Sequence, residues 1–252
     1  MIKLGGSTLG AHDTSLHDIA VARREGRRVV VVHGGGATIS AWLARAGIEP
    51  KFVRGLRVTD AASLEVVVAV LAGVVNKQLV AELSAFGAPA IGLSGTDSLI
   101  LQARRFDDEL GFVGKIERVN PYPLEELLGL GYLPVIAPIA IDTGGLASSQ
   151  LLNTNADTAA GEIAAALHAE RLVFLTDVDA VLDAEKHPQA RLTPAEASAL
   201  ISSGAADGGM IPKLEAAIRA AGAGCATRIV NGTAGGALAA VLAGEALGTT
   251  VG

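Results

Sequence analysis

Four consecutive valines at positions 29–32 constrain the fold of this chain more than any other feature. The run lies between Arg28 and the pair His33-Gly34, and it contains no polar residue that could face solvent. A short apolar run of this kind is typical of a strand buried on both faces, as in a parallel sheet covered by helices. Further runs of this type occur at residues 2–4, 133–137, 172–175 and 228–230.

Longer stretches rich in alanine and leucine separate these strands and predict helices. They cover residues 60–86, 156–168, 193–203 and 213–223. Strands that alternate with helices indicate an α/β fold with a parallel-rich sheet. The polar segment at 102–123 interrupts the alternation and predicts a hairpin or excursion beside the sheet. We place a break between two lobes near residues 168–171, so that residues 1–170 and 171–252 form the N-terminal and C-terminal lobes.

Composition and charge exclude several classes of protein. The 252 residues are 50% hydrophobic and 18% charged, which is too apolar for a disordered chain. A net charge of −6 argues against nucleic-acid binding. The longest uncharged apolar run, at residues 66–75, is too short to span a bilayer, and no signal peptide precedes the first glycines, so we expect a cytoplasmic protein. A single cysteine, Cys225, excludes an internal disulfide.

Two glycine clusters follow predicted strands. Gly5-Gly6-Ser7 follows the first strand, and Gly34-Gly35-Gly36 follows the valine run. The carboxyl ends of parallel strands meet at one crevice, and backbone N–H groups at a helix start bind anions. Tight turns alone also explain such glycines, and neither cluster matches the Walker or dinucleotide-binding pattern. The two clusters together favour an anion site.

Two lysines occupy positions where a lysine is unusual. Lys3 lies in an apolar strand, where a buried ammonium needs an anionic partner. Lys213 follows Pro212 in the first turn of a predicted helix, where the helix dipole disfavours a cation. Both are candidates for function, and the alternative for each is an ordinary exposed lysine.

Asn153, Asn155 and Asp157 immediately precede or begin a predicted helix. Either asparagine could be the N-cap, and Asp157 could face the helix dipole. The functional alternative is that Asn153 donates to a substrate carboxylate and that Asp157 holds two lysines in place. Arg57 could bind a carboxylate through its forked guanidinium or form a surface salt bridge.

The remaining chemistry-bearing residues indicate no metal site and no nucleophile. The five histidines have no metal-ligand spacing, so we predict no metal-binding residues in the chain. A serine elbow of the G-x-S-x-G type does not occur. His33 is more consistent with a hydrogen-bonded structural histidine than with a catalytic one.

Seven short segments, in this order along the chain, resemble the amino acid kinase family. They are Lys3-Leu4-Gly5-Gly6, His33-Gly34-Gly35-Gly36, Gly55-Leu56-Arg57-Val58-Thr59-Asp60, Val113-Gly114-Lys115-Ile116, Asn153-Thr154-Asn155-Ala156-Asp157, Leu175-Thr176-Asp177-Val178 and Gly209-Met210-Ile211-Pro212-Lys213. The resemblance covers nearly the whole chain. It implies a three-layer αβα sandwich around a mainly parallel open sheet, with two lobes, and a small-molecule kinase that uses ATP and Mg²⁺.

The segments most resemble the members that phosphorylate the side-chain carboxylate of N-acetyl-L-glutamate, the second step of arginine biosynthesis. By this resemblance, Lys3 and Lys213 stabilise charge on the phosphoryl group, and Asp157 orients both lysines. Gly35 and Gly36 offer backbone N–H groups to the phosphoryl group and the attacking carboxylate. A carboxylate is already ionised at pH 7, so the reaction needs positioning and positive charge rather than a general base.

The resemblance also implies binding residues for both substrates. Arg57 and Asn153 hold the α-carboxylate of N-acetylglutamate and its surroundings. The nucleotide site is lined by Gly5, Gly6, Asp177, Val178, Leu182 and Gly209. Ala180 stands where the family usually has a glycine. Because no helix precedes Lys3, we expect a homodimer without arginine feedback rather than a hexamer.

Two other functions remain alternatives. The first is a kinase of lysine biosynthesis that acts on aminoadipate linked to an acidic carrier protein, which the net charge of −6 and the apolar Met210-Ile211-Pro212 disfavour. The second is a sensor of nucleotides or amino acids without catalytic activity, and the presence of Lys3, Asp157 and Lys213 disfavours it.

Overall fold

A computed structural model of the chain describes residues 1–5, 14–145 and 149–252. The strands of the large sheet, in chain order, are β1 (Ile2–Leu4), β2 (Val31–His33), β5 (Ala90–Ser94), β8 (Leu133–Ala137), β11 (Arg171–Thr176), β14 (Arg191–Leu192), β15 (Ala226–Asn231) and β16 (Thr249–Val251). Short strands lie outside it: β3 (Phe52–Val53), β4 (Leu56–Arg57), β6 (Leu101–Arg105), β7 (Gly114–Val119), β9 (Ile139–Asp142), β10 (Leu151–Asn153), β12 (Val181–Leu182) and β13 (Pro188–Gln189).

The helices lie between these strands along the chain. They are α1 (Ser15–Arg24), α2 (Gly36–Arg45), α3 (Ala61–Val68), α4 (Asn76–Ala85), α5 (Tyr122–Gly129), α6 (Ala156–Ala166), α7 (Pro194–Ser202), α8 (Met210–Ala221) and α9 (Ala237–Ala243). A π-helical segment, Ala69–Val75, joins α3 to α4. The N-terminus of α7 has a capping box, in which Thr193 and Glu196 satisfy each other's backbone N–H groups.

The eight-stranded sheet has the order β14-β16-β15-β11-β1-β2-β8-β5. Its neighbouring strands are parallel except for β15 and β16, which confirms the predicted α/β fold with a mainly parallel sheet. Strand β1 is central and pairs with both β11 and β2, so one continuous sheet joins the parts of the chain on either side of residue 170. The resemblance implies that residues 1–170 bind the acceptor substrate and form the dimer and that residues 171–252 bind ATP, and this division stays a prediction.

Alternate residues of the central strands face two different cores, which makes the fold three-layered. Val30 and Val32 pack with residues of α6 such as Ile163 on one face. Leu4 and Val31 pack with residues of α4 such as Leu79 on the other face. Because side chains alternate along a strand, Lys3 lies on the α6 face and His33 on the α4 face.

The predicted excursion at 102–123 is the antiparallel hairpin of β6 and β7, which belongs to a second sheet with the order β10-β9-β6-β7. Several boundaries differ from prediction, and two of these differences lie near the glycine triplet and Lys213. Strand β2 covers 31–33 rather than 29–32, and α8 begins at Met210 rather than at Lys213. Pro212 is therefore the third residue of α8, where the absence of an N–H costs no intrahelical hydrogen bond.

The continuous helix Ala61–Ala85 is, by length and composition alone, apolar enough to cross a membrane. The apolar run that the sequence shows at 66–75 ends at Asn76, but the helix continues beyond it. One side of this helix, including Val67, Val70 and Leu83, is buried against the protein. The core helix of a soluble protein passes the same test, so this finding is weak evidence for a membrane span.

Helices α6 and α8 approach each other closely at Gly161. A Cβ atom at this position would lie 2.7 Å from the Cβ and 2.8 Å from the Cα of Ala216. Glycine is thus required here by space, and its absence of a side chain sets the distance between the two helices.

Candidate active site

A buried carboxylate joins two ammonium groups that are 210 positions apart in the chain. Asp157 Oδ1 lies 2.7 Å from Lys3 Nζ, and its Oδ2 lies 3.2 Å from Lys213 Nζ. The side chains of Lys3 and Asp157 are each 8% exposed, and that of Lys213 is 16% exposed. Lys213 also donates to the carbonyl of Gly209, at 2.9 Å. The two lysines and one carboxylate leave an excess of positive charge at the carboxyl end of β1.

The N-terminus of α6 positions Asp157. Asn155 is the N-cap of this helix, and its side chain accepts from the backbone N–H groups of Asp157 and Thr158 at 2.8 and 3.0 Å. Asn153 is not the cap. It lies at the end of β10, and its amide donates to Thr59 Oγ1 at 3.1 Å.

The glycine triplet ends β2 and begins α2. Gly35 is the N-cap and Gly36 the first helical residue, so the N–H groups of the first turn have no intrahelical partner. A Cβ at Gly35 would lie 2.7 Å from Leu71 Cδ2, which shows how closely the π-helical segment packs on this loop. An anion at this helix start would meet both backbone N–H groups and the helix dipole.

The first glycine cluster is only partly described. The N–H of Gly5 donates to the carbonyl of Leu175 at 3.2 Å and so extends the sheet. Gly6 lies outside the described residues. The contact of both glycines with a nucleotide stays a prediction.

Arg57 is 8% exposed and packs its guanidinium carbon 4.7 Å from the centre of the Phe52 ring. Its Nη2 donates to the carbonyl of Gly36 at 3.1 Å and to Ser40 Oγ at 2.8 Å. Its Nη1 is buried and has no hydrogen-bond partner among the described residues. Burial lowers the pKa of Arg57 from its ordinary value. A buried unpaired N–H of this kind is suited to an incoming carboxylate.

His33 is a buried structural histidine in this geometry. Its Nδ1 lies 2.9 Å from the carbonyl oxygen of Gly34, and its Nε2 lies 3.1 Å from the amide nitrogen of Asn76. Burial lowers its pKa from 6.5 to about 4, and the charges of Lys3 and Lys77 add to this effect. The imidazole is therefore neutral at pH 7 and serves as no proton donor to substrate.

A cavity of about 710 Å³ opens beside Lys213. Four of the predicted nucleotide-site residues line it: Asp177, Val178, Leu182 and Gly209. The exposed apolar side chains of Val178 and Leu182 suit the flat face of a base, whereas Lys213 stands where phosphates would lie. Lys213 lines the cavity and pairs with Asp157, which links the cavity to Lys3.

Sequence reasoning missed several residues that shape this site. Phe52 and Ser40 orient Arg57, and Thr59 links Asn153 to the carbonyl of Arg57 through its hydroxyl. Asn76 holds His33. Asn76 could have been found from the sequence, because it is a polar residue within an apolar helix. Phe52 could not, because the short hairpin that carries it shows no periodicity.

A mainly parallel α/β sheet with a cationic cleft at its carboxyl edge defines a protein that binds anionic small molecules at that edge. The model of the amino acid kinase family matches residues 1–231. This chain therefore belongs to the amino acid kinase family.

Individual relatives agree with the family match. The acetylglutamate kinase of Solibacter usitatus is 46% identical over 253 residues, with 99% of this chain and 97% of the relative covered. The acetylglutamate kinase of Dehalococcoides mccartyi is 44% identical over 253 residues, with 100% and 93% covered. Among solved structures, the N-acetylglutamate synthase of Neisseria gonorrhoeae with coenzyme A and N-acetyl-glutamate is similar, with a TM-score of 0.84, 26% identity, and 99% of this chain and 58% of that chain covered.

Proposed function

We propose that this protein transfers the γ-phosphoryl group of ATP to the side-chain carboxylate of N-acetyl-L-glutamate, as the second step of arginine biosynthesis. The products are ADP and N-acetyl-L-glutamyl 5-phosphate. The observation that carries the proposal is the buried arrangement of Lys3, Asp157 and Lys213 beside the nucleotide-sized cavity. The identity of 44–46% to acetylglutamate kinases over the whole chain supports the choice of substrate.

The main obstacle in this reaction is the repulsion between an anionic carboxylate and an anionic phosphate. Lys3 and Lys213 offset this repulsion by their charge at the transferring phosphoryl group, and Asp157 holds their ammonium groups at a fixed separation. The N–H groups of Gly35 and Gly36 add donors that need no reorganisation during the reaction. Phosphoryl transfer depends mainly on such positioning and electrostatic stabilisation.

The acceptor substrate binds at the Arg57 end of the cleft in this scheme. The free Nη1 of Arg57 forms a charge-assisted hydrogen bond with the α-carboxylate. The amide of Asn153, which donates to Thr59 Oγ1, is the second group assigned to this substrate. The side-chain carboxylate then extends to the glycine triplet, because Arg57 is itself bonded to the carbonyl of Gly36.

Mg²⁺ enters this site with the nucleotide. No group of three or more His, Cys, Asp or Glu side chains suited to a metal ion occurs among the described residues, and Asp157 already pairs with two lysines. Mg²⁺ is commonly held by phosphate oxygens and water with few protein ligands, which this site permits. When bound, the ion neutralises charge on the phosphates.

A hydroxamate-trapping assay with ATP and Mg²⁺ tests the proposal, because hydroxylamine captures the acyl phosphate. We expect hydroxamate from N-acetylglutamate and little from glutamate, aspartate or free aminoadipate. Nucleotide binding without hydroxamate from N-acetylglutamate or from carrier-linked aminoadipate would favour a sensor. Turnover of carrier-linked aminoadipate alone would favour the kinase of lysine biosynthesis.

Matched lysine variants connect the activity to the site. Lys213→Met removes the ammonium group beside Asp157, so we expect kcat to fall by about 10²–10³-fold. Lys115→Met is the control, since Lys115 is exposed on β7. Equal activity of the two variants would contradict the role of Lys213.

We further propose that the protein is a homodimer in which the helix Ala61–Ala85 lies at the interface. Ala69, Gly73 and Val74 are exposed on this helix, and an apolar surface of this kind indicates an interaction site. Light scattering tests this proposal: the wild-type chain should have the mass of a dimer and Val74→Glu that of a monomer. Ser84→Glu, a change at another exposed position of the helix, is the control, and a monomeric wild type would contradict the proposal.

A further inference from the structure

His33 and Asn76 are fully enclosed polar side chains that the phosphoryl-transfer scheme does not use. Their exposed fractions are 1% and 0%. Buried polar groups without partners are costly, so their hydrogen bonds are specific and can be traced atom by atom.

The orientation of the Asn76 amide is determined by its neighbours. Lys77 Nζ donates to Asn76 Oδ1 at 3.1 Å, and Asn76 Nδ2 lies 3.2 Å and 2.9 Å from the carbonyl oxygens of Leu93 and Val135. Carbonyl oxygens only accept, so Nδ2 is the donating end of the amide. The two N–H groups of Asn76 Nδ2 are shared among these carbonyl oxygens and His33 Nε2, which lies 3.1 Å away. Because the amide nitrogen accepts no hydrogen bond, Nε2 of His33 is the acceptor and carries no hydrogen.

The tautomer of His33 follows from this bond. With Nε2 as acceptor, the neutral ring carries its hydrogen on Nδ1, which donates to the carbonyl oxygen of Gly34 at 2.9 Å. The bond fixes the plane of the peptide between Gly34 and Gly35. In a trans peptide the carbonyl and the next N–H point in opposite directions. The N–H of Gly35 therefore points away from His33.

The groups assigned to phosphoryl transfer lie on the face of the sheet opposite to His33. His33 lies on the α4 face of the sheet, in register with Leu4 of β1. Lys3 lies on the opposite face, where it pairs with Asp157 at the start of α6. A carbonyl held toward His33 therefore directs the N–H of Gly35 toward the side of Lys3.

We propose that His33 and Asn76 are positioning residues that hold the N–H of Gly35 toward the transferring phosphoryl group. Asn76 directly follows the π-helical segment, whose Leu71 packs against Gly35, so one helix supports the loop through packing and the imidazole through a hydrogen bond. This inference rests on the proposed function, because it assigns the N–H to that reaction.

Two substitutions of His33 separate positioning from simple burial. The amide of His33→Asn places a donor near the position of Nδ1, whereas the amide of His33→Gln reaches the position of Nε2 and leaves Gly34 without its donor. We expect His33→Asn to keep kcat within about threefold and His33→Gln to lose about tenfold or more, with the KM values of both substrates nearly unchanged. Asn76→Ser leaves the imidazole but removes the amide that fixes its tautomer, so we expect an intermediate loss of kcat.

Controls separate this effect from instability. Thr227→Val removes a buried hydroxyl of β15 far from the glycine triplet, and its kcat should equal that of the wild type. Thermal midpoints of all variants identify those that do not fold. Equal kcat values for folded His33→Asn and His33→Gln would overturn the proposal, as would a loss confined to KM.

A measurement on the free protein distinguishes failure of this inference from failure of the proposed function. The ¹⁵N–¹H signal of Gly35 should be close to that of the wild type in His33→Asn and displaced in His33→Gln. If N-acetylglutamate is not phosphorylated but the Gly35 signal follows this pattern, the positioning stands and the substrate is wrong. If phosphorylation occurs and the Gly35 signal responds equally to both changes, the positioning is wrong.

Discussion

The two positively charged parts of the site differ in how the protein balances their charge. Lys3 and Lys213 share the carboxylate of Asp157, so the phosphoryl end is organised before any substrate binds. Arg57 instead donates from Nη2 to two neutral oxygens, and its buried Nη1 has no partner among the described residues. In the proposed scheme, the substrate's own carboxylate completes the hydrogen bonds of the acceptor end, where Arg57 lies.

This difference suggests a division of labour between the two parts. Groups arranged in advance stabilise the transition state and affect kcat, because they cost no reorganisation during the reaction. A group that is completed by substrate contributes to binding in both the ground state and the transition state, and so affects KM. Variants of each part should therefore differ in which kinetic constant changes.

The largest effect is expected for Asp157→Asn. This change leaves the ammonium groups of Lys3 and Lys213 close together without the negative charge between them, so their positions change and they repel each other. We expect kcat to fall by about 10²–10³-fold in the hydroxamate assay. Asp108→Asn, on an exposed loop, is the control. A kcat for Asp157→Asn close to that of the control would contradict the claim that Asp157 fixes Lys3 and Lys213 before substrate binds.

A smaller effect, on a different constant, is expected for Arg57→Lys. Lysine keeps the charge but lacks the second nitrogen that points to substrate. Loss of one charge-assisted hydrogen bond predicts a rise of about 10–100-fold in KM for N-acetylglutamate, with kcat changed little. Arg54→Lys, on the same hairpin and paired with Asp107 at the surface, should leave KM unchanged. A fall in kcat at constant KM for Arg57→Lys would show that the Arg57 end and the lysine end of the site affect the same kinetic constant.

The neutral state of His33 can be tested by stability. Its pKa is about 4 in the folded protein and 6.5 when unfolded, so below pH 6.5 the unfolded chain binds a proton that the folded chain does not. The free energy of unfolding should therefore decrease by about 2 kcal/mol from this group between pH 7 and pH 5. Denaturant unfolding of the wild type and of His33→Asn at pH 7 and pH 5 gives the free energy of unfolding of each protein. The difference between the two pH dependences is the contribution of His33. Equal pH dependence of the two proteins would show that His33 titrates normally.

The smallest effect is expected at the exposed edge of the nucleotide cavity. Leu182→Ala removes apolar surface from a side chain that is 41% exposed, so we expect KM for ATP to rise about threefold. Neither kcat nor KM for N-acetylglutamate should change. Leu130→Ala, at a more exposed position on the C-terminal side of α5, is the control. A large loss of kcat in Leu182→Ala would show instead that this loop belongs to the part of the site that is organised before substrate binds.

The main features of the fold could be predicted because they depend on local patterns. The apolar runs at 133–137 and 172–175 are buried strands of the large sheet, as expected. Two-residue strands such as β3 and β4 show no alternation and could not be found. The π-helical segment Ala69–Val75 also has no sequence signal of its own.

The candidate site could be predicted only in part: its charged residues were found, but their hydrogen bonds were not. Lys3 and Lys213 violate local rules for lysine, which singled them out. That Asp157 holds both lysines was one of two alternatives from the residues alone, and the resemblance to a family favoured it. Ser40, a hydrogen-bond partner of Arg57, and Asn76, a partner of His33, are 17 and 43 positions away along the chain, so no local pattern indicates these hydrogen bonds. The free Nη1 of Arg57 in particular is a property of three-dimensional packing.

The contact between Gly161 and Ala216 has a consequence for how the protein admits its nucleotide. The space between α6 and α8 is too small for a Cβ atom at Gly161, so we expect the two helices, which carry Asp157 and Lys213, to move together. Entry and exit of ATP must therefore leave that pair intact. The gate for the nucleotide has to be sought in the short strands and turns between residues 177 and 188, which form the other wall of the cavity.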